Sequence, residues 1–346
     1  MKLGIMAGYS PSHMSVPMDQ ILEGERLGYD SVWTAEAWGS DAVTPATWIL
    51  AQTTKIKVGT AIMQMPARTP AMTAMTAMTL DALSGGRFIL GLGPSGPQVI
   101  EGWHGVAYGR PLERTREYID IIRKILERKE PVTHQGFHYQ LPYAGDDATG
   151  LGKPLKSILH GNPNLKIYTA SITPNGVRCS AEVADGLFPV WMNPERFDVL
   201  EGSLNEGFAK AGGGKSMADF EIAPFVEVVL NDDLEAAQMP VRQNLALYIG
   251  GMGAREKNFY NDYAKRMGYE EAAVKIQDLF LAGNRAEAAA AVPEELIDEV
   301  ALVGSADRIR DRLQPWKEAG KKGHVSTLLA RGASIDALRL LAEEVL

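Results

Sequence analysis

The stretch that decides the fold is residues 69–92, TPAMTAMTAMTLDALSGGRFILGL. It opens with Thr69 and Pro70, a capping side chain followed by a residue whose backbone is preset for the first helical turn. The helix predicted from this start ends at Gly85 and Gly86, where glycine can adopt the left-handed conformation that closes helices. The apolar run 87–92 follows at once and is typical of a buried strand. One complete helix and strand unit therefore occupies this stretch.

The same alternation of short apolar runs and longer helical patterns continues on both sides. Thr44, Thr173 and Asn193 each precede a proline and predict three more helix starts. Eight apolar runs predict parallel strands: 2–7, 31–35, 56–63, 87–92, 165–170, 186–190, 221–230 and 324–330. Eight such units without a break in composition predict one α/β domain over residues 1–346, built as a TIM (β/α)8 barrel.

The length of the chain requires insertions in such a barrel. A TIM barrel takes about 250 residues, and the chain has 346. We expect one insertion after the fourth barrel helix, at 129–164, with a hairpin at 133–141. A second, mostly helical insertion is expected after the seventh strand, at 231–302.

Composition excludes several classes of partner. A net charge of −8 gives no overall basic field for nucleic acid or anionic lipid. The single cysteine, Cys179, cannot form an internal disulfide and suits a reducing cytosol. No run approaches the roughly 18 apolar residues that cross a bilayer. His134 and His138 flank Gly136 in the predicted hairpin, so no metal site is expected. These features predict a soluble cytoplasmic protein that acts on a small molecule.

One glycine motif resembles a nucleotide-binding signature without its context. Residues 91–96, GLGPSG, match the dinucleotide motif letter for letter. Pro94 and Pro97 prevent the glycine turn from running straight into a helix, and the match falls in the fourth unit. A Rossmann site is therefore not predicted here.

The active site of a TIM barrel lies at the carboxyl ends of its strands, so the residues that close each strand are the candidates. Glu36 follows the second strand beside tryptophans, where a carboxyl group can exchange a proton or form a salt bridge. The third strand ends in the largely apolar residues 60–65. An apolar wall of this kind suits a flat aromatic ligand. The backbone at 93–96 is accessible, with His104 nearby, and the helix start at 171–173 favours an anion such as a phosphate.

Several runs resemble a known family along nearly the whole chain. Residues 84–93, SGGRFILGLG, together with 167–171, IYTAS, and 181–186, AEVADG, resemble the bacterial-luciferase-like flavin and deazaflavin oxidoreductases. Residues 95–105, SGPQVIEGWHG, and 63–70, MQMPARTP, are similar to the branch that uses coenzyme F420, a 5-deazaflavin.

The resemblance implies a set of cofactor-binding residues. A non-proline cis peptide that supports the central ring of the cofactor falls at Ala61 and Ile62, and Glu36 lies beside the ring. The backbone segments that surround the side chain and phosphate of the cofactor are these: Gly93, Pro94, Ser95 and Gly96, and Ala170, Ser171, Ile172 and Thr173.

The resemblance also has a departure. Ala37 and, approximately, Pro97 stand where the glucose-6-phosphate dehydrogenase branch has a histidine and a glutamate. Sugar oxidation is therefore not indicated, and proton transfer must use Glu36, His13, His104 or water.

The function implied is hydride transfer between coenzyme F420 and an unidentified small carbonyl, alcohol or activated alkene. Two alternatives stay open: an FMN-dependent two-component monooxygenase, and a deazaflavin-binding protein without turnover. We also expect a homodimer. The stripe of Met72, Met75 and Met78, three residues apart on one helix, packs on the barrel or on another subunit.

Overall fold

The computed structural model describes residues 1–10, 12–253 and 255–346. Its strands are β1 (Lys2–Gly8), β2 (Ser31–Thr34), β3 (Lys57–Thr60), β4 (Met63–Gln64), β5 (Phe88–Gly93), β6 (His134–Gln135), β7 (Gln140–Leu141), β8 (Ile167–Ala170), β9 (Gly186–Phe188), β10 (Glu221–Ile222), β11 (Phe225–Leu230), β12 (Ala301–Gly304) and β13 (Thr327–Arg331). Its helices are α1 (Met18–Leu27), α2 (Val43–Gln52), α3 (Pro70–Leu83), α4 (Pro97–Gly102), α5 (Pro111–Glu127), α6 (Pro174–Val183), α7 (Asp198–Ala211), α8 (Leu234–Gly251), α9 (Phe259–Arg266), α10 (Glu270–Leu281), α11 (Arg285–Ala290), α12 (Glu294–Val300), α13 (Ala306–Lys321) and α14 (Ile335–Val345).

The main sheet is parallel and curled. Its strands lie in the order β10-β9-β8-β5-β3-β2-β1-β13-β11-β12, and β4 pairs with β5. β10 and β11 are two halves of one run, the first paired with β9 and the second with β13. The amide N–H of Ser326, just before β13, donates to the carbonyl of Ile222 at 2.8 Å. The curl therefore brings β10 and β13 together.

Aromatic side chains fill the inside of the curled sheet. The Trp33 ring lies 5.0 Å from that of Phe188 and 5.6 Å from that of Tyr168, measured between centroids. Glycines make this filling sterically feasible. A β-carbon built on Gly59 would lie 2.3 Å from the Trp33 ring, and one on Gly91 would lie 1.7 Å from the Thr60 carbonyl oxygen. The interior is thus a packed core and not a channel.

All eight predicted runs contain strands of the main sheet, and the hairpin β6–β7 lies within 133–141. Two predicted helix starts are wrong. α2 begins at Val43, where the Asp41 carboxylate accepts the amide N–H groups of Val43 and Thr44. After Asn193 the chain forms a turn, in which the Asn193 side chain accepts the N–H of Glu195. The next helix, α7, begins only at Asp198.

In the described residues after β11, five helices share a second apolar cluster. The prediction did not include β12, which lies in this region and pairs in parallel with β11. In the described parts of the chain, no helix combines the length and apolarity that crossing a membrane would require.

Several residues of the family motif hold the amino-terminal end of the sheet. The Arg87 guanidinium donates to the carbonyls of Leu50, Thr53 and Ile56, at 2.8–3.1 Å, where α2 leads into β3. Asp185 accepts the Ile167 N–H at 2.8 Å. These contacts satisfy backbone groups at helix and strand ends, so the motif stabilises the fold far from the end where an active site is expected.

Candidate active site at the carboxyl ends of the strands

The open end of the curled sheet at the carboxyl ends of its strands is called the mouth. The peptide bond between Ala61 and Ile62 is cis, as the resemblance implies, and both residues pack with the interior aromatic cluster. Beside them, a β-carbon on Gly93 would lie 2.8 Å from the Ile62 side chain. Glycine at this position therefore lets Ile62 lie against β5 and forms an apolar floor.

Glu36 is held tightly at the edge of this floor. Its side chain is 6% exposed, and it forms a two-point ion pair with the Arg68 guanidinium. Its carboxylate also accepts the backbone N–H of Ala42 at 3.0 Å and that of Gln64 at 2.8 Å. Both oxygens are thus engaged within the protein. This arrangement holds the loop after β2 against β4.

A hydrogen-bonded group continues from Gln64 along the next wall. The Gln64 amide nitrogen donates to Ser95 Oγ at 3.0 Å, and its amide oxygen lies 2.7 Å from His104 Nε2. Because an amide oxygen can only accept, Nε2 of His104 carries a proton in this arrangement. The Tyr108 hydroxyl donates to the Ser95 carbonyl at 3.1 Å.

Ser95 itself adopts an uncommon backbone conformation. Its φ of 58° lies in the left-handed region, which costs a non-glycine residue roughly 1–2 kcal/mol. The contacts from Gln64 and Tyr108 hold it there, and such conformations concentrate at binding sites.

The start of α6 forms another wall. The Thr173 side chain accepts the Gly176 N–H at 3.1 Å, as predicted for a helix cap. A β-carbon on Gly176 would lie 1.8 Å from Ser171 Oγ, so this glycine leaves room for the hydroxyl group. Because the cap takes one N–H and Pro174 has none, fewer free amides face an anion than at an uncapped start. Arg266 of α9 donates to the Ile172 carbonyl at 2.7 Å and brings a cation to this place.

Three aromatic residues that the sequence reasoning missed line the side of the mouth below the helical region. The Trp191 ring lies 5.4 Å from that of Tyr260 and 6.0 Å from that of Tyr248. Burial raises the pKa of Tyr248, while the nearby Arg331 lowers it and Tyr9 raises it. The wall is therefore apolar but carries hydroxyl groups. Trp191 lies in the loop after β9, whereas Tyr248 and Tyr260 lie in the helical insertion, so their meeting depends on the tertiary structure.

A further pair, Glu227 and Arg331, was also missed. Arg331 Nε lies 3.6 Å from the Glu227 carboxylate, with the two side chains 47% and 23% exposed. Burial raises the pKa of Glu227, and the Arg331 charge partly offsets this effect. A signal for Glu227 exists in the sequence, because a single acid within an otherwise apolar strand is unusual.

The structure brings most of the predicted residues to the mouth. The segment from Gly93 to Gly96 connects through Ser95 and Gln64 to Glu36 and His104. Ala170 packs with the interior cluster and leads into the α6 start. His13 lies exposed in the loop after β1. Among the described residues, no hydrogen bond or ion pair joins His13 to the other candidate site residues.

The mouth has the space and chemistry for a flat ligand with a polar tail. A β-carbon on Gly8 at the end of β1 meets no described atom within 4 Å, so space is open above this strand. Below it lies an apolar floor, and polar groups stand at Ser95 and at the α6 start. Fold and site together define an α/β protein whose curled parallel sheet has, at the carboxyl ends of its strands, an apolar floor flanked by polar groups.

Comparison with known proteins identifies the family. The luciferase-like monooxygenase family model matches residues 5–322. The chain therefore belongs to the luciferase-like monooxygenase family. A protein of Mycobacterium tuberculosis that is provisionally named a coenzyme F420-dependent oxidoreductase is 44% identical over 346 residues, which cover 99% of this chain and 98% of that relative.

Two solved structures share the fold. The coenzyme F420-dependent tetrahydromethanopterin reductase from Methanopyrus kandleri superposes with a TM-score of 0.77 at 22% identity, over 99% of this chain and 98% of that one. An F420-dependent secondary alcohol dehydrogenase in complex with an F420–acetone adduct gives a TM-score of 0.72 at 19% identity, with the same coverage.

Proposed function

We propose that this chain is a coenzyme F420-dependent oxidoreductase that transfers a hydride between the cofactor and a small organic substrate at the mouth. The observation that carries the proposal is the apolar floor at Ala61, Ile62 and Gly93, where the glycine lets the Ile62 side chain lie against β5. The F420 names of the relative at 44% identity and of the two structures support it.

The residues of the mouth divide into holding and reacting groups. Coenzyme F420, when bound, gives up or accepts a hydride at C5. We assign its ring to the floor at Ala61 and Ile62. Its side chain and phosphate are assigned to two segments: Gly93, Pro94, Ser95 and Gly96, and Ala170, Ser171, Ile172 and Thr173. Arg266 supports the second segment as a place for an anionic group.

Glu36 is proposed as a positioning residue for cofactor binding, since its ion pair with Arg68 and its bond to Gln64 connect it to the floor. His104, whose ring bonds to Gln64 beside Ser95, is one candidate for proton transfer in this proposal. His13 remains a more remote candidate in the loop after β1. The apolar floor and the aromatic wall exclude water from the reacting atoms.

The two alternative functions are weaker. An FMN-dependent monooxygenase of the same fold is not favoured by the F420 name of the relative at 44% identity. A deazaflavin-binding protein without turnover does not explain why His104 and the ion pair of Glu227 with Arg331 lie at the same mouth.

We further propose one domain over 1–346, an eight-stranded barrel with insertions at 129–164 and 231–302, that acts in the cytoplasm as a homodimer. One face of α3 supports the dimer: Met72, Met75 and Leu83 are 53%, 55% and 79% exposed. Burying such a face against a second copy removes apolar surface from water. Met78, the third methionine of the stripe, is buried.

Titration of the purified protein with coenzyme F420 and with FMN tests the cofactor assignment. F420 should bind more tightly. A Gly96→Leu variant should weaken F420 binding by at least about tenfold, or about 1.4 kcal/mol, without lowering Tm, because Gly96 has an extended backbone that accepts a side chain. If FMN bound tenfold more tightly than F420, the result would favour the alternative function, an FMN-dependent monooxygenase. Unchanged F420 affinity in Gly96→Leu would remove this segment from the site.

A further inference from the structure

The run formed by β10 and β11 presents acids at both ends of its inward face. Ala223 and Phe225 pack with the aromatic cluster inside the curled sheet, whereas Val226 packs between the sheet and the helices. Side chains alternate along a strand, so Glu221 and Glu227 share the inward face with Ala223 and Phe225. Glu221 lies at the amino end and Glu227 at the mouth.

The two acids have opposite surroundings. The pKa of Glu221 is lowered overall. Burial alone would raise it, but the Tyr168 hydroxyl and the Lys2 ammonium outweigh burial, and Lys2 Nζ lies 3.3 Å from the Glu221 carboxylate. Among the described residues, Glu227 has one charged neighbour, Arg331 at 3.6 Å. Burial outweighs that neighbour and raises the pKa of Glu227.

Glu227 also lies on the inward face of the strand run that packs on the cluster containing the floor. Phe225, two residues before it on the same face, packs in the cluster that contains Ala61 and Ile62. Glu227 is therefore one step further toward the mouth than this floor. Its side chain remains 23% exposed, so a ligand can reach it.

We propose that Glu227 exchanges a proton with the substrate during hydride transfer at the mouth, a role that rests on the function proposed above. The substrate class is an alcohol and carbonyl pair, because hydride transfer to or from carbon then leaves one proton to be moved at oxygen.

The step balances in both directions. In the oxidising direction, the substrate C–H bond breaks and its hydride passes with both electrons to the oxidised cofactor. The O–H bond breaks, its proton passes to the Glu227 carboxylate, and a C=O bond forms. In the reducing direction, the carbonyl carbon receives the hydride while its oxygen receives the proton of the Glu227 carboxyl group.

The charged and titratable groups around Glu227 come from three elements. Arg331 of β13 faces the carboxylate directly. Tyr248 of α8 interacts with Arg331 and with Tyr9, which follows β1. Burial raises the pKa of Tyr248, so its hydroxyl group carries no charge near pH 7. Arg331 is therefore the group that sets the charge balance of Glu227.

The deciding experiment compares Glu227→Gln with Glu221→Gln, which changes an acid on the same strand face at the opposite end. F420 affinity is measured first, and then kcat with a panel of secondary alcohols and ketones. Glu227→Gln should bind F420 within about twofold of wild type and lose about 10²–10⁴-fold in kcat. Glu227→Asp should recover part of the loss. Glu221→Gln should keep the kcat of wild type.

A second readout needs no substrate. A carboxyl group with a raised pKa stabilises the fold while protonated, and this contribution is lost as the pH rises through its folded pKa. Glutamine cannot ionise, so the Tm of Glu227→Gln relative to wild type should increase from pH 4.5, the ordinary carboxyl value, toward neutrality. For Glu221 the pKa is lowered, so Glu221→Gln should show a deficit above pH 4.5 that shrinks on acidification.

Two results would overturn the inference: wild-type kcat and pH profile in Glu227→Gln, or a Tm difference that does not depend on pH. Loss of turnover in His104→Gln together with normal turnover in Glu227→Gln would assign the proton transfer to His104. That result would also overturn the inference. Failure of the wild type to bind F420 would instead contradict the proposed function, so the two failures are distinguishable.

Discussion

Two glutamates lie at the same mouth in opposite environments. Glu36, after β2, is 6% exposed and receives a two-point ion pair from Arg68 and two backbone amides. Glu227, on β11, is 23% exposed and has a single cation at 3.6 Å. Burial alone does not separate their roles. Glu36 is the more deeply buried acid, yet it also has more hydrogen-bond donors around its carboxylate than Glu227 has. The number of donors around a carboxylate decides whether it is fixed as an anion or can hold a proton.

This difference shows why position at a strand end is an incomplete criterion for catalysis. Glu36 follows the carboxyl end of β2, whereas Glu227 lies within β11, level with the last residue of β13. Glu227 has one ion pair and a side chain that is 23% exposed, so a substrate can approach it. Proton transfer requires a group whose charged and neutral forms are close in free energy. Four hydrogen bonds occupy both oxygens of Glu36 and hold the loop after β2 against β4.

The largest effect on stability is expected when the ion pair between Glu36 and Arg68 is broken. Glu36→Gln removes the charge that compensates the half-buried Arg68 guanidinium. Breaking a fully buried pair costs about 3 kcal/mol or more, and the 22% exposure of Arg68 places this pair below that value. We therefore expect a clear fall in the free energy of unfolding, measured in urea, with kcat per folded and cofactor-loaded molecule retained. The double variant Glu36→Gln/Arg68→Met should recover most of the stability, because no charge is left unpaired.

Normal stability of Glu36→Gln together with a large loss of turnover would reverse the comparison. Glu36 would then be the proton-transfer residue, and its ion pair would be incidental to stability.

A smaller effect is expected at the other acid when its cation is removed. Arg331 lowers the pKa of Glu227, so Arg331→Met should raise that pKa further and keep the acid protonated to higher pH. Because Arg331 is 47% exposed and screened by water, the loss of stability should not exceed about 1 kcal/mol. A pH series of Tm values measures both quantities, and a downward shift of the midpoint would show that Arg331 is not the controlling charge.

Much of the fold follows from the sequence because helix and strand signals are local. The apolar runs contain the strands, and Thr69 and Thr173 cap α3 and α6 as predicted. Asn193 shows the limit of such reasoning, since the same Asn-Pro pair that can start a helix forms a turn here. β12 was missed because its four residues follow directly on α12 within a helical pattern.

The candidate site was less predictable because its parts lie far apart in the chain. The sequence indicates that Glu36 is near a ligand, but not that Arg68 neutralises it across 32 positions. Likewise, Glu227 and Arg331 meet only because β11 and β13 are neighbours in the sheet. A strand-end criterion finds single residues, whereas charge compensation is a property of pairs that only the tertiary structure defines.

The central claim is that Glu227, and not Glu36, holds the exchangeable proton at the mouth. Infrared difference spectra of the ligand-free protein, recorded as the pH is raised, test it directly through the C=O stretch of protonated carboxyl groups. We expect a protonated-carboxyl band that persists above pH 4.5, disappears in Glu227→Gln and is unchanged in Glu36→Gln. A persistent band that survives in Glu227→Gln but disappears in Glu36→Gln would contradict the account.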